Sequence, residues 1–236
     1  MTLLTIAQDA ADIIGLPRPT AIVNASDTSA RQLFSLANMG GKILAKRYPW
    51  QALIKEATWT TLAAEDQGTI ESIAPGFSWD MFESQWNRTQ RVRILGPLSP
   101  QEWQQRAATS ISGPYSLFRF RNKHLYLSPA PAAGETGAFE YMSRNWCESS
   151  GGTDQERWAA DTDVGILSED LLTLDLIWRF KAAKGFAYGE DFRTFEMEVN
   201  KAMARDGSKA TLNMSADSAN RDYSPGVGVS DGSWNL

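Results

Sequence analysis

The stretch SEDLLTLDLIWRFKAAKG, residues 168–185, decides the fold that the sequence predicts. Ser168 is a suitable N-cap, because its hydroxyl can accept a hydrogen bond from a free backbone N–H in the first helical turn. Glu169 and Asp170 place negative charge at the positive end of the helix dipole, and Gly185 suits a left-handed stop. Steps of three and four residues predict one apolar face, made of Leu171, Leu174, Ile177, Trp178 and Phe180. This pattern is typical of a buried packing helix and contains no catalytic signature.

Helical periodicity recurs at both ends of the chain. It predicts helices over residues 2–14, about 27–45, 51–56 and 191–204. Gly40 and Gly41 interrupt the second of these, and adjacent glycines predict either a close approach between helices or a kink. The expected apolar stripe of the last helix is Phe192, Phe195, Val199 and Met203.

The middle of the chain is rich in β-formers separated by polar or Gly/Pro turns. It predicts strands over residues 58–62, 68–73, 90–95, 115–121, 124–128 and 137–145. Asn122 and Lys123 form the predicted turn of a hairpin. Ser99 begins a capping box with proline at the first helical position, which predicts a short helix carrying Trp103. Residues 148–161 are expected to form a polar loop.

Together these patterns predict an α+β fold. A helical bundle subdomain is built from both chain ends, an antiparallel β subdomain is inserted between them, and an extended C-terminal tail follows. The predicted boundaries are residues 1–57 and 165–205 for the helical subdomain, 58–164 for the β-rich subdomain and 206–236 for the tail. The tail is rich in Gly, Ser, Asn and Asp, a composition typical of an extended segment.

The composition and the first residues of the chain argue against several classes of protein. The net charge of −5 gives no sign of a nucleic-acid groove or of an anionic membrane partner. Cys147 is the only cysteine, so no internal disulfide can form and a reducing compartment is expected. The first residues lack the basic segment of a signal peptide, and no apolar run approaches the ~20 residues of a membrane span. We expect a protein without a membrane partner, made in a cytoplasm.

The sequence predicts no catalytic, cofactor-binding or metal-binding residues. His124 is the only histidine, and no nucleophile motif accompanies it, so an exposed turn histidine is expected rather than a catalytic base. Cys147 is expected to be a small, partly buried side chain, because a nucleophilic cysteine would need a histidine partner. Calcium could use the acidic loop, but the spacing is not that of an EF-hand, and a solvated loop or a cap is expected for Asp154, Glu156, Asp161 and Asp163.

Two further segments are candidates for partner contacts. Arg88, Arg91 and Arg93 lie beside Trp86 in sequence and form either a solvent-facing strand edge or a subunit interface. The tail carries large aromatic side chains, Tyr223 and Trp234, in an otherwise polar segment. Such residues are typical of anchors that dock onto a partner.

Several stretches in succession carry a resemblance to a known family. They are TLLTIAQDAADIIGLPRP and DTSARQLFSLANMGGKILAKRYPWQALIKEATW near the start, SPQEWQQR and YSLFRFRNKHLYLSPAPAAGETGAFEYMSRNW in the middle, and DTDVGILSEDLLTLDLIWRFKAAKGFAYGEDF near the end. In this order they resemble the head-to-tail adaptor (connector) proteins of short-tailed bacteriophages, of the tail accessory factor or tail tubular protein A type. The resemblance extends to about residue 206.

The resemblance implies a structural virion protein that is not an enzyme and has no cofactor. Such proteins are expected to form a ring, a dodecamer, under the portal protein, to extend the DNA channel and to bind the downstream nozzle or tubular tail protein. Genomic DNA would pass without sequence-specific binding. The C-terminal extension would bind the portal, which on this chain implies residues 206–236, with Tyr223, Trp234 and Leu236 as anchors. The expected location is the virion, assembled in the host cytoplasm.

Two other functions stay open on the residues alone. A peptidoglycan-cleaving glycoside hydrolase of the virion would need two carboxylates about 5–10 Å apart, one of them with a raised pKa. A carbohydrate-binding module would use some of the nine tryptophans as a sugar platform. Exposed, coplanar tryptophans would support the module, and buried ones would count against it.

Overall fold

The computed structural model of the chain describes residues 2–81, 83–109 and 115–207. The helices are α1 (Leu3–Ile14), α2 (Thr28–Arg47), α3 (Ile70–Ile73), α4 (Pro100–Ala108), α5 (Glu169–Lys184) and α6 (Gly189–Asp206). The strands are β1 (Ile54–Thr60), β2 (Asp66–Thr69), β3 (Phe77–Asp80), β4 (Trp86–Asn87), β5 (Val92–Arg93), β6 (Leu117–Arg121), β7 (His124–Ser128), β8 (Thr136–Ser143), β9 (Cys147–Glu148), β10 (Asp154–Gln155) and β11 (Val164–Gly165). All named strand pairs are antiparallel, so the predicted α+β class is confirmed.

Strand β8 lies at the centre of the main sheet. Strand β1 pairs along one of its edges, from Ile54 opposite Met142 to Thr60 opposite Thr136. Strands β3 and β4 pair in succession with the other edge, and β5 extends the sheet from β4. Because β8 has neighbours on both edges and packing on both faces, most of its side chains are buried.

The predicted hairpin is confirmed as β6 and β7, which pair with β2 in a second sheet. Asn122 and Lys123 have φ angles of 49° and 62°. Two consecutive positive φ values make a type I′ turn, whose twist matches that of the flanking strands. The capping box at Ser99 is also confirmed, since Ser99 and Glu102 bond each other's backbone N–H groups at the start of α4.

Several local predictions are wrong. Residues 51–56 were expected to be helical, but only Gln51–Leu53 form a 3-10 turn before β1 begins. The expected strand over residues 68–73 ends at Thr69 and continues as α3, and the one over residues 90–95 shrinks to Val92–Arg93. Residues 148–161 are not a plain loop, because β9 pairs with β10 and β11 in a small third sheet. For the first of these, pairing of Ile54–Thr60 with β8 outweighs the local helical preference.

Two hydrophobic cores hold the described part of the chain together. The first joins helices from both chain ends, including Leu3, Leu44 and Phe180, but it also takes Trp146 and Trp158 from the middle. The second lies between the two larger sheets and contains Trp59, Phe118, Leu125, Leu127, Phe139 and Tyr141. The predicted subdomain boundaries therefore stay predictions, since the middle of the chain contributes to both cores.

Helix α5 is the central helix of the first core and packs against α1, α2 and α6. The prediction of a single apolar face is wrong, because Leu172 and Leu176 are buried as well as Leu171 and Ile177. Neighbours on three sides require apolar residues around most of the helix. Ser168 precedes α5 without a side-chain capping bond, which corrects the expected cap, whereas Gly185 is the predicted left-handed stop, with φ 75°.

Candidate interaction surfaces

The predicted portal anchors Tyr223, Trp234 and Leu236 lie outside the described residues, so their role stays a prediction. The described chain ends at Gly207, directly after α6. Asp206 accepts a 2.8 Å hydrogen bond from the backbone N–H of Gln51, which ties the end of α6 to the segment between α2 and β1. This contact fixes the point from which the C-terminal segment starts.

A hydrogen bond between the His124 ring and the Asp66 carboxylate joins β7 to β2. The distance from His124 Nδ1 to Asp66 Oδ1 is 2.9 Å, and Asp66 also accepts from the backbone N–H of Gly68. The hydrogen bond from His124 lowers the pKa of Asp66. His124 is half-buried rather than fully exposed, and its contact with Asp66 holds β2 beside β7 in the second sheet.

Cys147 is fully buried and donates its S–H towards the carbonyl oxygen of Gln155 at 3.4 Å. Burial, together with the negative charge of Asp163, raises the pKa of the thiol to about 12. The thiolate is the reactive form of cysteine, and it is scarce at neutral pH with such a pKa. Cys147 is thus confirmed as a small buried side chain.

The acidic residues expected in a loop are used as backbone acceptors and ion-pair partners. Asp161 accepts from the N–H groups of Ile22 and Val23 at 3.0 and 2.8 Å. Asp163 accepts from the N–H groups of residues 159 and 160 at 2.7 and 2.8 Å. Among the described residues no group of three or more His, Cys, Asp or Glu side chains could hold a metal ion. Asp161 thus attaches this segment to the connection before α2, and Asp154 and Glu156 form ion pairs with Lys55 and Arg144.

Arg88 and Arg91 lie with Trp86 along an open groove of about 550 Å³ between β1, β4 and β8, whereas Arg93 does not line it. Arg88 is paired with Glu56, and the Arg93 guanidinium lies 3.6 Å from Glu83. The edge is therefore of mixed charge rather than basic. Both predicted roles, strand edge and subunit interface, stay open for it.

The same groove bears on the hydrolase alternative. Glu56 and Glu140 are opposite each other in β1 and β8 and both line it. The carboxyl groups whose pKa burial raises are Asp80 and Asp175, and neither lines this groove. A glycosidase acid needs its raised pKa inside the cleft, so neither Asp80 nor Asp175 could act as the acid of a hydrolase site in this groove.

The tryptophans offer no sugar platform within the described residues. Trp234 lies outside them, and none of the other tryptophans is exposed. Trp79, Trp86 and Trp178 are half-buried, Trp103 is the buried residue of α4, and the others belong to the two cores. A sugar platform needs open aromatic faces, so this arrangement counts against the carbohydrate-binding alternative.

Three exposed aromatic side chains surround the half-buried Trp178 where α5 turns into α6, at a surface that we name the aromatic corner: Trp178, Phe186, Tyr188 and Phe192. The Trp178 ring lies 5.1 Å from that of Phe192 and 6.4 Å from that of Tyr188. Phe186 is 55% exposed, and Phe192, expected to be packed, is 39% exposed. Clustered exposed aromatics are typical of binding surfaces.

A second surface, the acidic groove, runs between α1 and α5 and has a volume of about 580 Å³. Leu174 and Ile177 form its apolar floor, and the exposed Ile13 borders it together with four acidic residues, Asp9, Asp12, Glu169 and Asp170. Helix α1 contains no Lys or Arg, so no basic side chain of that helix neutralises the rim.

A third surface, the basic face of α2, combines apolar and positive side chains: Arg31, Met39, Lys42, Ile43 and Lys46. All five side chains are exposed. Helix α2 contains no Asp or Glu. The segregation of charge between α1 and α2 could have been read from the sequence, but which residues face solvent could not.

Comparison with protein-family models matches residues 1–227 to the family described as SU10 adaptor protein. The match spans all described residues and reaches Tyr223, but stops before Trp234 and Leu236. No curated protein matches the chain. In the described part of the chain, no helix is long and apolar enough to cross a membrane.

Proposed function

Because the chain belongs to the SU10 adaptor protein family, a family of structural phage proteins that join head and tail, we propose that it forms a ring under the portal. In this proposal the ring is a dodecamer of the tail accessory factor or tail tubular protein A type. It extends the DNA channel towards the tail and carries the nozzle or tubular protein on its other side. Assembly takes place in the host cytoplasm.

The observation that carries the proposal is the extent of the family match, residues 1–227, which includes every element of both cores. The surface supports it, since no described residue covers the aromatic corner, the acidic groove or the basic face of α2. A protein that works by assembling is expected to expose such surfaces before it meets its partners.

The charge of the chain suits a channel wall. A net charge of −5 repels the phosphate backbone, so DNA could slide past the ring without being held. The portal attachment is assigned to residues 206–236, which start beside Gln51 at the end of α6. Tyr223, Trp234 and Leu236 are its proposed anchors.

The test is electron microscopy of the purified full chain mixed with the portal protein of the same phage. We expect a ring of this chain on one end of the portal, with an open axial channel. Particles of portal alone beside unassembled adaptor would overturn the proposal. A turbidity assay on peptidoglycan with the same sample is expected to show no clearing, and clearing would reopen the hydrolase alternative.

A further inference from the structure

The acidic groove has two carboxylates, those of Asp9 and Asp170, that form no ion pair with the described part of the chain. Asp12 is held by Arg18 at 2.7 Å. Asp9 and Asp170 form no ion pair with another residue of the described ranges, although both border the same apolar floor. Unpaired charge around an apolar depression is suited to a ligand that brings apolar side chains and positive charge together.

The basic face of α2 has this combination. Met39 and Ile43 are 45% and 47% exposed, and they lie four residues apart, one turn from each other on the same side of the helix. Lys42 and Lys46 form no ion pair within the described part of the chain. The face therefore matches the groove in both apolar character and sign of charge.

The two surfaces cannot meet within one copy. Gly40 and Leu44 turn the buried side of α2 towards α5 and the first core, so the exposed side chains of α2 point away from them. The acidic groove opens on the α1 side of α5. A contact between the two surfaces therefore needs a second copy, and it joins different patches of the two copies. Such heterologous contacts, which join different patches of identical copies, generate rings when the rotation between copies closes.

We propose that the basic face of α2 in one copy binds the acidic groove of the next copy. Met39 and Ile43 cover the apolar floor of the groove, and Lys42 and Lys46 face the carboxylates of its rim. This inference rests on the ring-forming role proposed above and assigns the subunit contact of the ring. The aromatic corner lies outside this contact and stays available for other proteins of the virion.

Charge reversal of either surface tests the contact. One variant carries Lys42→Glu and Lys46→Glu, and the other carries Asp9→Lys and Asp170→Lys. Each brings like charges together, and we expect self-association to weaken about a hundredfold in sedimentation velocity experiments. The matched control, Arg193→Glu with Lys201→Glu on α6, changes the net charge as the first variant does and is expected to associate as the wild type does.

Mixing the two reversed variants gives a stricter test. In the variant with glutamates on α2, that helix can bind only the groove of the other variant, which carries the two new lysines. The unchanged α2 of the groove variant can bind the unchanged acidic groove of the first. We expect the mixture, unlike either variant alone, to assemble with strictly alternating copies, detectable by native mass spectrometry. Circular dichroism and urea unfolding check that every variant is folded.

The outcomes separate this contact from the function. Assembly of either reversed variant as well as the wild type, or a mixture that does not assemble, would overturn the contact but not the adaptor role. A wild-type chain that stays a single copy both alone and with the portal would overturn both. Loss of association in the α6 control alone would show that α6 forms the subunit contact, which would overturn the proposed contact.

Discussion

Gly40 of α2 and Asp175 of α5 occupy the same point of contact between two helices, because a Cβ atom on Gly40 would overlap the Asp175 carboxylate. Asp175 is 2% exposed and accepts hydrogen bonds from Arg179 Nε at 2.7 Å and Trp178 Nε1 at 3.1 Å. The absence of a side chain at one position thus makes room for a buried, hydrogen-bonded charge at the other.

Gly40→Ala is expected to destabilise the protein by about 1–3 kcal/mol, the usual cost of overpacking a core. The loss should appear although alanine is preferred to glycine by about 1 kcal/mol inside a helix. Urea unfolding measures the change. Gly189→Ala is the control, since its Cβ would meet no atom within 4 Å, and it should leave stability unchanged or raise it. Equal stability of Gly40→Ala and the wild type would contradict the packing described.

Asp175→Ala should cost about 3 kcal/mol or more, because it leaves the largely buried guanidinium of Arg179 without its acceptor. Asp175→Asn keeps an acceptor and should cost much less. Burial raises the pKa of Asp175 above its usual value of 3.8. The contribution of Asp175 to stability is therefore complete below pH 3.8 and declines as the pH rises through the folded-state pKa. Unfolding curves across this range should show the decline in the wild type and not in the Asn variant.

The ion pair between Arg47 in α2 and Glu196 in α6 predicts the opposite pH dependence. Two hydrogen bonds of 2.6 and 2.5 Å join the side chains, and that from Arg47 lowers the pKa of Glu196 below its usual 4.5. The stabilisation is complete above that pH and is lost as pH falls through the folded-state pKa. Glu196→Gln should cost up to about 1 kcal/mol at pH 7 and flatten the acid side of the stability profile. Glu190→Gln, at a far more exposed site on the same helix, should do neither.

Cys147 should resist thiol reagents in the folded protein. Burial raises its pKa to about 12, so almost no thiolate is present at pH 8, and the side chain is closed to solvent. With a chromogenic disulfide reagent we expect slow labelling in buffer and rapid labelling of one thiol in denaturant. Complete labelling of the native protein within minutes would show that the small third sheet opens readily.

Removal of the C-terminal anchors should uncouple portal binding from folding. Replacing Tyr223, Trp234 and Leu236 with alanine is expected to abolish co-sedimentation with the portal without changing the urea midpoint. Each is a large apolar side chain of the kind that dominates interface energetics. Alanine at three polar positions of the same segment, Asn220, Ser230 and Asn235, is the control and should bind as the wild type does. Normal binding by the first variant would remove the tail from the proposed attachment.

Sequence periodicity predicted the long elements well. Helices α1, α2, α5 and α6 and the β6–β7 hairpin lie within a few residues of their predicted bounds, since each has strong local signals such as Gly185 or the turn at Asn122. The short strands failed for the opposite reason. Residues 51–56 have helical character, and only pairing of Ile54–Thr60 with β8 makes the second half of them a strand.

The interaction surfaces were harder to predict from the sequence than the helices. The resemblance to head-to-tail adaptors was sound at the level of the adaptor family. Helix α5 looked free of polar chemistry, yet Asp175 is one of its buried residues. Phe192 looked like core material, yet it lies in the aromatic corner. A periodic stripe shows that a helix has an apolar side, but not how many neighbours share it.

The sequence by itself determined where the main helices lie, the α+β class and the separation of charge, acidic in α1 and basic in α2, because these depend on side chains close together in the chain. Only the tertiary structure decided that α5 is surrounded on three sides, that Gly40 faces Asp175 and that the acidic groove and the basic face of α2 point in different directions. These depend on which distant segments pack together, and long-range packing leaves no periodic trace in the sequence.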